Sequence, residues 1–234
     1  MTDLILMDGR DLVRLILSGE RDFSGILLKN FNFNTGVSND EYLEKYHTAQ
    51  SKEQTRLKEY LNQCAENDEP LYFDGSEFEK VVAKELNFDG LGFQKGVFKE
   101  SHFLNSSFKN SNFYGTNINH CWFRDCNFSD AKLNQSEIYD SDFSNSYFNS
   151  ANLEGIKIIG NSYFCGANFS DTNLEGASIE ANLGNAKFKW TNLRGVKGLD
   201  KCNQVEEAEF YKIKTDWRTK RVIKKVINRI EIFV

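Results

Sequence analysis

The chain has 234 residues, 40% hydrophobic and 27% charged, which is enough for one sizeable domain or two small ones. Its net charge of −5 argues against direct nucleic-acid binding, which needs a dense array of Lys and Arg. Five cysteines without paired spacing, no signal peptide and no apolar run of membrane-spanning length predict a cytoplasmic protein with reduced thiols and no membrane contact.

The N-terminal segment predicts a capping helix within residues 1–20 and the first repeats at 21–33. The helix would cover the first coil with three leucines, Leu12, Leu15 and Leu17. Large apolar residues then follow at intervals of five: Phe23, Leu28 and Phe33.

Residues 34–70 interrupt this spacing and predict a helical insertion near 38–68. Asn39 can cap a helix that begins with the sequence EYLEKYH. Apolar residues then recur at helical spacing at Leu57, Tyr60, Leu61 and Cys64. The insertion is either a tolerated surface excursion or an arm that binds a partner.

From residue 71 to 199 the chain repeats a large apolar residue with a period of five. We refer to these residues as centres: Phe73, Phe78, Ala83, Phe88, Phe93, Phe98, Phe103, Phe108, Phe113, Ile118, Phe123, Phe128, Leu133, Ile138, Phe143, Phe148, Leu153, Ile158, Phe164, Phe169, Leu174, Ile179, Leu183, Phe188 and Leu193. A small residue precedes most of them by two positions, as at Ser101, Cys121 and Ala151. Around Ala83, residues 77–86 fit either a coil or a helix, because Ser76 and Glu79 form a capping-box pattern.

The period of five has a direct geometric meaning. In an extended chain, residues i and i−2 point to the same side, so the centre and the small residue both face inward. A chain with one inward pair every five residues must turn between pairs, and four turns close a square coil. Coils would stack about 4.8 Å apart, and stability would come from neighbouring coils. We expect about seven coils.

The repeat resembles that of the pentapeptide-repeat family, roughly A-(D/N)-L-x-x. The segments ANLEG (151–155), ANFSD (167–171), TNLEG (172–176) and TNLRG (191–195) match it closely. The resemblance covers about residues 71–199 and a short piece near the start. It implies a mainly β fold, a right-handed quadrilateral β-helix, in one domain spanning 1–234. The phrase SGERDFSG is similar to the openings of cyanobacterial members.

Residues 200–234 predict a C-terminal cap that contains a helix. Val222, Ile223, Val226, Ile227 and Ile230 fall on one face of it. This face either covers the open end of the solenoid or forms a homodimer contact. A third alternative, binding to a membrane surface, fits less well because the helix is short. The protein would accordingly be a monomer or a homodimer through this segment.

Motifs for catalysis or for metal and cofactor binding are absent from the sequence. The three histidines, at 47, 102 and 120, lack a paired nucleophile and an orienting carboxylate. Cys121 follows His120, but it occupies an inward small position and is interpreted as a packing residue. There is no CxxC, HExxH, GxGxxG or P-loop. We therefore expect no catalytic residue, no metal and no cofactor.

The outward residues provide the candidate site. One side of the coil places His102, Trp122, Asp142 and Tyr163 directly before stacked centres. The spacing lengthens to six between Ile158 and Phe164 and shortens to four between Ile179 and Leu183. Both breaks fall at the same corner, near His120, Asp140 and Glu180. This corner is either tolerated drift or a protein-binding patch.

The sequence favours a non-enzymatic scaffold that presents rigid faces to an unknown protein partner. The alternative comes from the family resemblance, because quinolone-resistance members are thought to imitate duplex DNA and to bind gyrase or topoisomerase. Such mimicry requires a strongly acidic surface. Residues 71–200 carry 16 acidic and 12 basic residues, a net charge of only −4.

Overall fold

The computed structural model describes residues 5–7, 11–12, 15, 20, 22–28, 31–32, 37–38, 73 and 75–226. Phe33 and the predicted helical insertion near 38–68, apart from Ser38, lie outside these residues, as do Ile227 and Ile230. Of the predicted N-terminal cap, Asp11, Leu12 and Leu15 have helical backbone, and Leu12 is buried in the core.

The described residues form a right-handed, four-sided β-helix. Its strands are β1 (Ile5–Met7), β2 (Ile26–Leu28), β3 (Phe31–Asn32), β4 (Val37–Ser38), β5 (Glu77–Glu79), β6 (Val82–Lys84), β7 (Val97–Lys99), β8 (His102–Leu104), β9 (Asn117–Asn119), β10 (Glu137–Tyr139), β11 (Lys157–Tyr163), β12 (Ser178–Asn182), β13 (Lys187–Lys189) and β14 (Glu209–Tyr211). Two 3₁₀ turns, Leu199–Lys201 and Val205–Glu207, and helix α1 (Trp217–Val226) follow the main repeats.

Consecutive coils pair in parallel, so residues one coil apart lie side by side. Strands β5, β7, β9, β10, β11 and β12 form one sheet, which we call the first side. Strands β1, β2, β6 and β8 begin the second side. The third side contains the Phe88 column and the fourth side the Phe93 column. Residues 77–86 contain strands β5 and β6, so this segment forms part of a solenoid turn and is not a helix.

The small inward residues form hydrogen bonds between coils, which explains why many of them are hydroxyl residues. The Ser101 hydroxyl donates to the Phe78 carbonyl over 2.9 Å and accepts from the Val81 backbone N–H over 3.0 Å. The Ser146 hydroxyl likewise donates to the Phe123 carbonyl over 2.6 Å and accepts from the Cys126 backbone N–H over 3.0 Å. A small polar side chain therefore satisfies buried backbone groups where the chain bends.

The centres fill the axis as columns of stacked rings. On the third side the column runs through Phe88, Phe108, Phe128, Phe148, Phe169, Phe188 and Phe210, with neighbouring ring centroids 4.8–5.2 Å apart. Every Phe centre from Phe73 to Phe188 is buried. The solenoid has about eight turns, one more than we expected.

The solenoid extends past the predicted repeats at both ends: β1 pairs with β2 ahead of Phe23, and the coil continues beyond Leu199, where the repeats were expected to end. Strand β14 pairs with β13, and Phe210 stacks on Phe188 with centroids 4.8 Å apart. The two 3₁₀ turns lengthen the step from Phe188 to Phe210, which hides Phe210 from a five-residue count. Phe188 is therefore covered by Phe210 and not by the C-terminal helix.

Helix α1 lies against the last coil. Ile223 and Thr219 are buried, and Val222 and Val226 pack partly against the core. Asp216 caps the helix, because its carboxylate accepts hydrogen bonds from the backbone N–H groups of Arg218 and Thr219 over 2.8 and 2.9 Å. Among the described residues no helix is long and apolar enough to cross a bilayer.

Candidate functional site

The second side carries an outward column of four residues, one on each of four successive coils. β-Bridges link His102 to Trp122, Trp122 to Asp142 and Asp142 to Tyr163. Trp122 and Tyr163 expose 42% and 45% of their surfaces, whereas the adjoining centres Phe123 and Phe164 are fully buried. The structure therefore brings together these four predicted residues on one surface.

Trp122 is held between two neighbours. The His102 ring stacks on it with centroids 4.2 Å apart and planes 7° from parallel. The Arg124 guanidinium carbon lies 4.7 Å from the centroid of the indole ring. Partial burial, followed by the Arg124 charge, lowers the pKa of His102 and so favours the neutral imidazole in this stack.

Asp142 fixes the position of Arg124. Its Oδ2 accepts a hydrogen bond from Arg124 Nε over 2.6 Å. Its Oδ1 accepts from the Ser144 backbone N–H over 2.9 Å and from the Ser144 hydroxyl over 2.6 Å. Only 12% of the Asp142 side chain is exposed, so this residue supports the surface more than it contributes contact area.

His120 and Asp140 lie at the corner between the first and second sides. His120 Nδ1 is 3.9 Å from Asp140 Oδ2, and the His120 ring meets the Tyr139 ring edge-on with centroids 5.7 Å apart. The six-residue step appears as a bulge between Ile158 and Ser162 in the pairing of β11 with β12. Asp140 Oδ1 accepts a hydrogen bond from the Asn161 N–H in this bulge over 2.6 Å.

Glu180 does not join this group. It follows Ile179, which pairs with Ile158, so Glu180 lies one coil beyond Ile159. Its carboxylate is bound by the Lys201 ammonium of the following coil.

Three residues that the sequence did not single out belong to this surface. Arg124 contacts Trp122 and Asp142 as described above. Tyr139 and Ile159 pair with each other across β10 and β11 and expose 42% and 38% of their surfaces. Both directly follow centres on the first side, and the alternation that identifies Trp122 would have found them on that side.

The buried cysteines are poor nucleophiles near neutral pH. Burial raises the pKa of the Cys121 and Cys126 thiols to about 12. The Cys126 sulfur lies 2.9 Å from the Phe103 carbonyl oxygen, to which its thiol donates. In the part of the chain that the structure describes, no three His, Cys, Asp or Glu side chains cluster so as to hold a metal ion.

Family models match most of the described solenoid. The model "Pentapeptide repeat region" matches residues 84–158, and "Pentapeptide repeats (8 copies)" matches residues 160–197. The chain belongs to the pentapeptide-repeat family. A comparison of this pentapeptide-repeat protein with curated proteins yields no significant match.

Several solved pentapeptide-repeat proteins are similar to this one. Trypsin-treated QnrB1, a plasmid-mediated fluoroquinolone resistance protein, is 15% identical over 70% of this chain and 98% of its own, with a TM-score of 0.41. HetL, involved in heterocyst differentiation regulation in the cyanobacterium Nostoc sp., is 14% identical over 88% and 96%, with a TM-score of 0.35. A protein from the Arabidopsis thaliana thylakoid lumen is 22% identical over 45% and 66%, with a TM-score of 0.27. Likenesses of this degree say nothing about function.

Proposed function

We propose that this pentapeptide-repeat protein is a non-enzymatic scaffold that binds a protein partner at the corner between its first and second sides. We call this surface the corner patch: His102, Trp122, Asp142, Tyr163, His120, Asp140, Arg124, Tyr139 and Ile159. The observation that carries the proposal is Trp122, which stays nearly half exposed while His102 and Arg124 hold it in place.

The composition of the corner patch suits a protein–protein contact. Binding hot spots are enriched in Trp, Tyr and Arg, and the patch holds Trp122, Tyr139, Tyr163 and Arg124. Because Asp142 fixes Arg124 and His102 stacks on Trp122, these side chains lose little conformational freedom on binding. The outward Ile159, which pairs with Tyr139 where the bulge begins, adds an apolar side chain to the patch.

The test is the double substitution Trp122→Ala with Tyr163→Ala. Neither residue fills the axis, so the fold and its circular dichroism should be retained. The amount of partner recovered by quantitative affinity capture from the native cell should fall sharply. The matched control is Tyr114→Ala with Tyr147→Ala, which removes two exposed aromatic rings from other sides. Equal recovery with both double variants would rule out the corner patch.

A deletion of residues 38–68 provides a second arm of the same experiment. If the deletion, and not the double substitution, abolishes recovery, the predicted insertion would be the binding element. The corner-patch proposal would then fail.

The distribution of charge disfavours the DNA-mimic alternative. Several acidic side chains on the described surface pair with cations across coils, as in Lys99–Glu79, Arg124–Asp142 and Lys157–Glu137. A mimic of duplex DNA needs continuous negative rows. A gyrase supercoiling assay with added protein tests this alternative directly: inhibition or protection at stoichiometric amounts would favour the mimic over the scaffold.

A further inference from the structure

A tryptophan occupies a corner where the four preceding coils hold small polar residues and the following coil holds Lys212. Successive coils place Asn110, Asp130, Ser150, Asp171 and Trp190 at the corner between the third and fourth sides, with φ between 57° and 61°. Asn and Asp tolerate this left-handed conformation, whereas a bulky side chain is strained in it. Trp190 still exposes 44% of its surface, so burial offsets little of the strain. Other large residues, such as Lys95 and Gln135, have this conformation at other corners, so the exposed indole ring is what distinguishes Trp190.

Trp190 belongs to a group of aromatic and cationic side chains on the last two coils. The Trp190 and Tyr211 ring centroids are 6.3 Å apart. Lys189 Nζ lies 4.2 Å from the Trp190 centroid and 5.8 Å from that of Tyr211, and Lys212 Nζ lies 5.2 Å from the latter. We call these residues and the neighbouring Lys187 the lysine–aromatic patch. It borders a groove of about 380 Å³.

The lysines of this patch differ from those that pair with a glutamate of a neighbouring coil. Lys99, Lys157 and Lys201 each pair with a glutamate on the preceding coil. No ion pair within 4.0 Å among the described residues includes Lys187, Lys189 or Lys212, although Lys187 lies beside Glu209 in the β13–β14 register.

The chain around the lysine–aromatic patch also carries a net positive charge. Residues 187–226 contain 12 Lys and Arg against 5 Asp and Glu, a net charge of +7. Residues 75–186 contain 8 against 14, a net charge of −6. Positive charge is therefore concentrated at the C-terminal end of the described solenoid, where Lys201 is the one Lys or Arg of residues 187–226 that forms an ion pair among the described residues.

We propose that the lysine–aromatic patch binds an extended acidic segment of a partner protein. Lys187 and Lys189 are both outward on β13 and two residues apart, which in a strand is roughly 7 Å. Alternate side chains of an extended peptide have the same spacing. Two carboxylates of such a peptide can each meet one ammonium, while an apolar side chain lies against Trp190 and Tyr211. This patch is diagonally across the coil from the corner patch, so the inference is independent of the proposed function.

A protein segment fits this surface better than a nucleic acid does. Asp171 lies directly below Trp190 in the same corner column, and Glu209 lines the groove. A continuous phosphate backbone would pass close to both carboxylates, whereas a peptide can place its few charges between them. Nucleic-acid binding also relies on many simultaneous phosphate contacts, and the patch offers three lysines.

The test is fluorescence anisotropy with a short labelled peptide that carries glutamate at alternate positions and one phenylalanine. We expect the full-length protein to bind this peptide, with affinity that falls as salt is added. Lys187→Gln with Lys189→Gln should weaken binding by about tenfold or more. Lys109→Gln with Lys132→Gln, which removes the same charge from other coils, should leave it unchanged.

The Trp190→Asn variant separates a binding role from a structural one. Asn accepts the left-handed corner, so the melting temperature should stay the same or rise, while peptide affinity falls. The proposal is overturned if this variant melts several degrees lower with unchanged affinity, or if both lysine pairs weaken binding equally. It is also overturned if the glutamine counterpart of the peptide binds equally well, or if a single-stranded oligothymidylate of equal charge binds more tightly than the peptide.

Discussion

Two columns on the second side of the coil run in parallel, one residue apart in sequence. The inward column, Phe103, Phe123 and Phe143, repeats one residue type with ring centroids 4.9 and 5.0 Å apart. The outward column holds His102, Trp122 and Asp142 at the same levels. The inward residues are alike because each fills the same space between coils. The outward residues differ because backbone pairing places no demand on them, so their identities are free to serve binding.

The largest effect on stability should come from truncating an inward side chain instead of the outward side chain next to it. Phe123→Ala removes a ring from a continuous stack and leaves a cavity, which should cost about 3–5 kcal/mol of unfolding free energy. Trp122→Ala removes an exposed ring and one cation–π contact, which should cost about 1 kcal/mol or less. Urea denaturation of both variants measures the difference. Similar losses would mean that the two columns are not distinguished by burial.

Removing the C-terminal helix extends the comparison to the end of the inward columns. Ile223 is buried against the last coil, and Ile223→Ala should cost roughly 2 kcal/mol or more. Deletion of residues 217–234 should in addition expose Leu199 and Val196 and cause aggregation, visible by light scattering after size-exclusion chromatography. A truncated protein that stays monomeric and equally stable would show that α1 is not a cap.

Asp216 offers a smaller effect with a defined pH dependence. Hydrogen bonds from the backbone N–H groups of Thr219 and Gly195 lower the pKa of this carboxyl group from 3.8 to about 2. Because the folded-state pKa is the lower one, the stabilisation is complete above about pH 4 and is lost as the pH falls toward 2. Asp216→Ala should cost about 1 kcal/mol at pH 7, as for other helix N-caps.

Denaturation of wild type and the Asp216→Ala variant at several pH values checks this expectation. The difference in stability between them should shrink between pH 4 and pH 2. Were the difference independent of pH, the ionised carboxylate would not be the capping group.

The smallest effect should come from an exposed ion pair of the first side. Lys157 Nζ lies 2.5 Å from Glu137 Oε1, but both side chains are at least half exposed. Lys157→Gln should therefore change the unfolding free energy by no more than about 0.5 kcal/mol. A loss comparable to that of Phe123→Ala would show that outward pairs, and not the stacked rings, hold the coils together.

The local spacing was sufficient to predict most of the core but not its end. From Phe73 to Leu193 the period of five identifies the inward residues, because each face of the coil uses five residues except at the six-residue step after Ile158 and the four-residue step after Ile179. Phe210 was missed because two 3₁₀ turns change that number after Leu199. The ring nevertheless stacks on Phe188, since what it requires is a place above the preceding ring and not a fixed spacing along the chain.

The sequence by itself determined the four-sided coil, its inward residues and the outward position of Trp122, because these follow from strand alternation and a local period. Only the tertiary structure decided which outward residues meet. Arg124 contacts Trp122 of its own coil and Asp142 of the next, and Lys189 likewise contacts Trp190 of its own coil and Tyr211 of the next. Such contacts depend on side-chain conformations and on how far each coil is displaced from the next, and neither is encoded in a five-residue period.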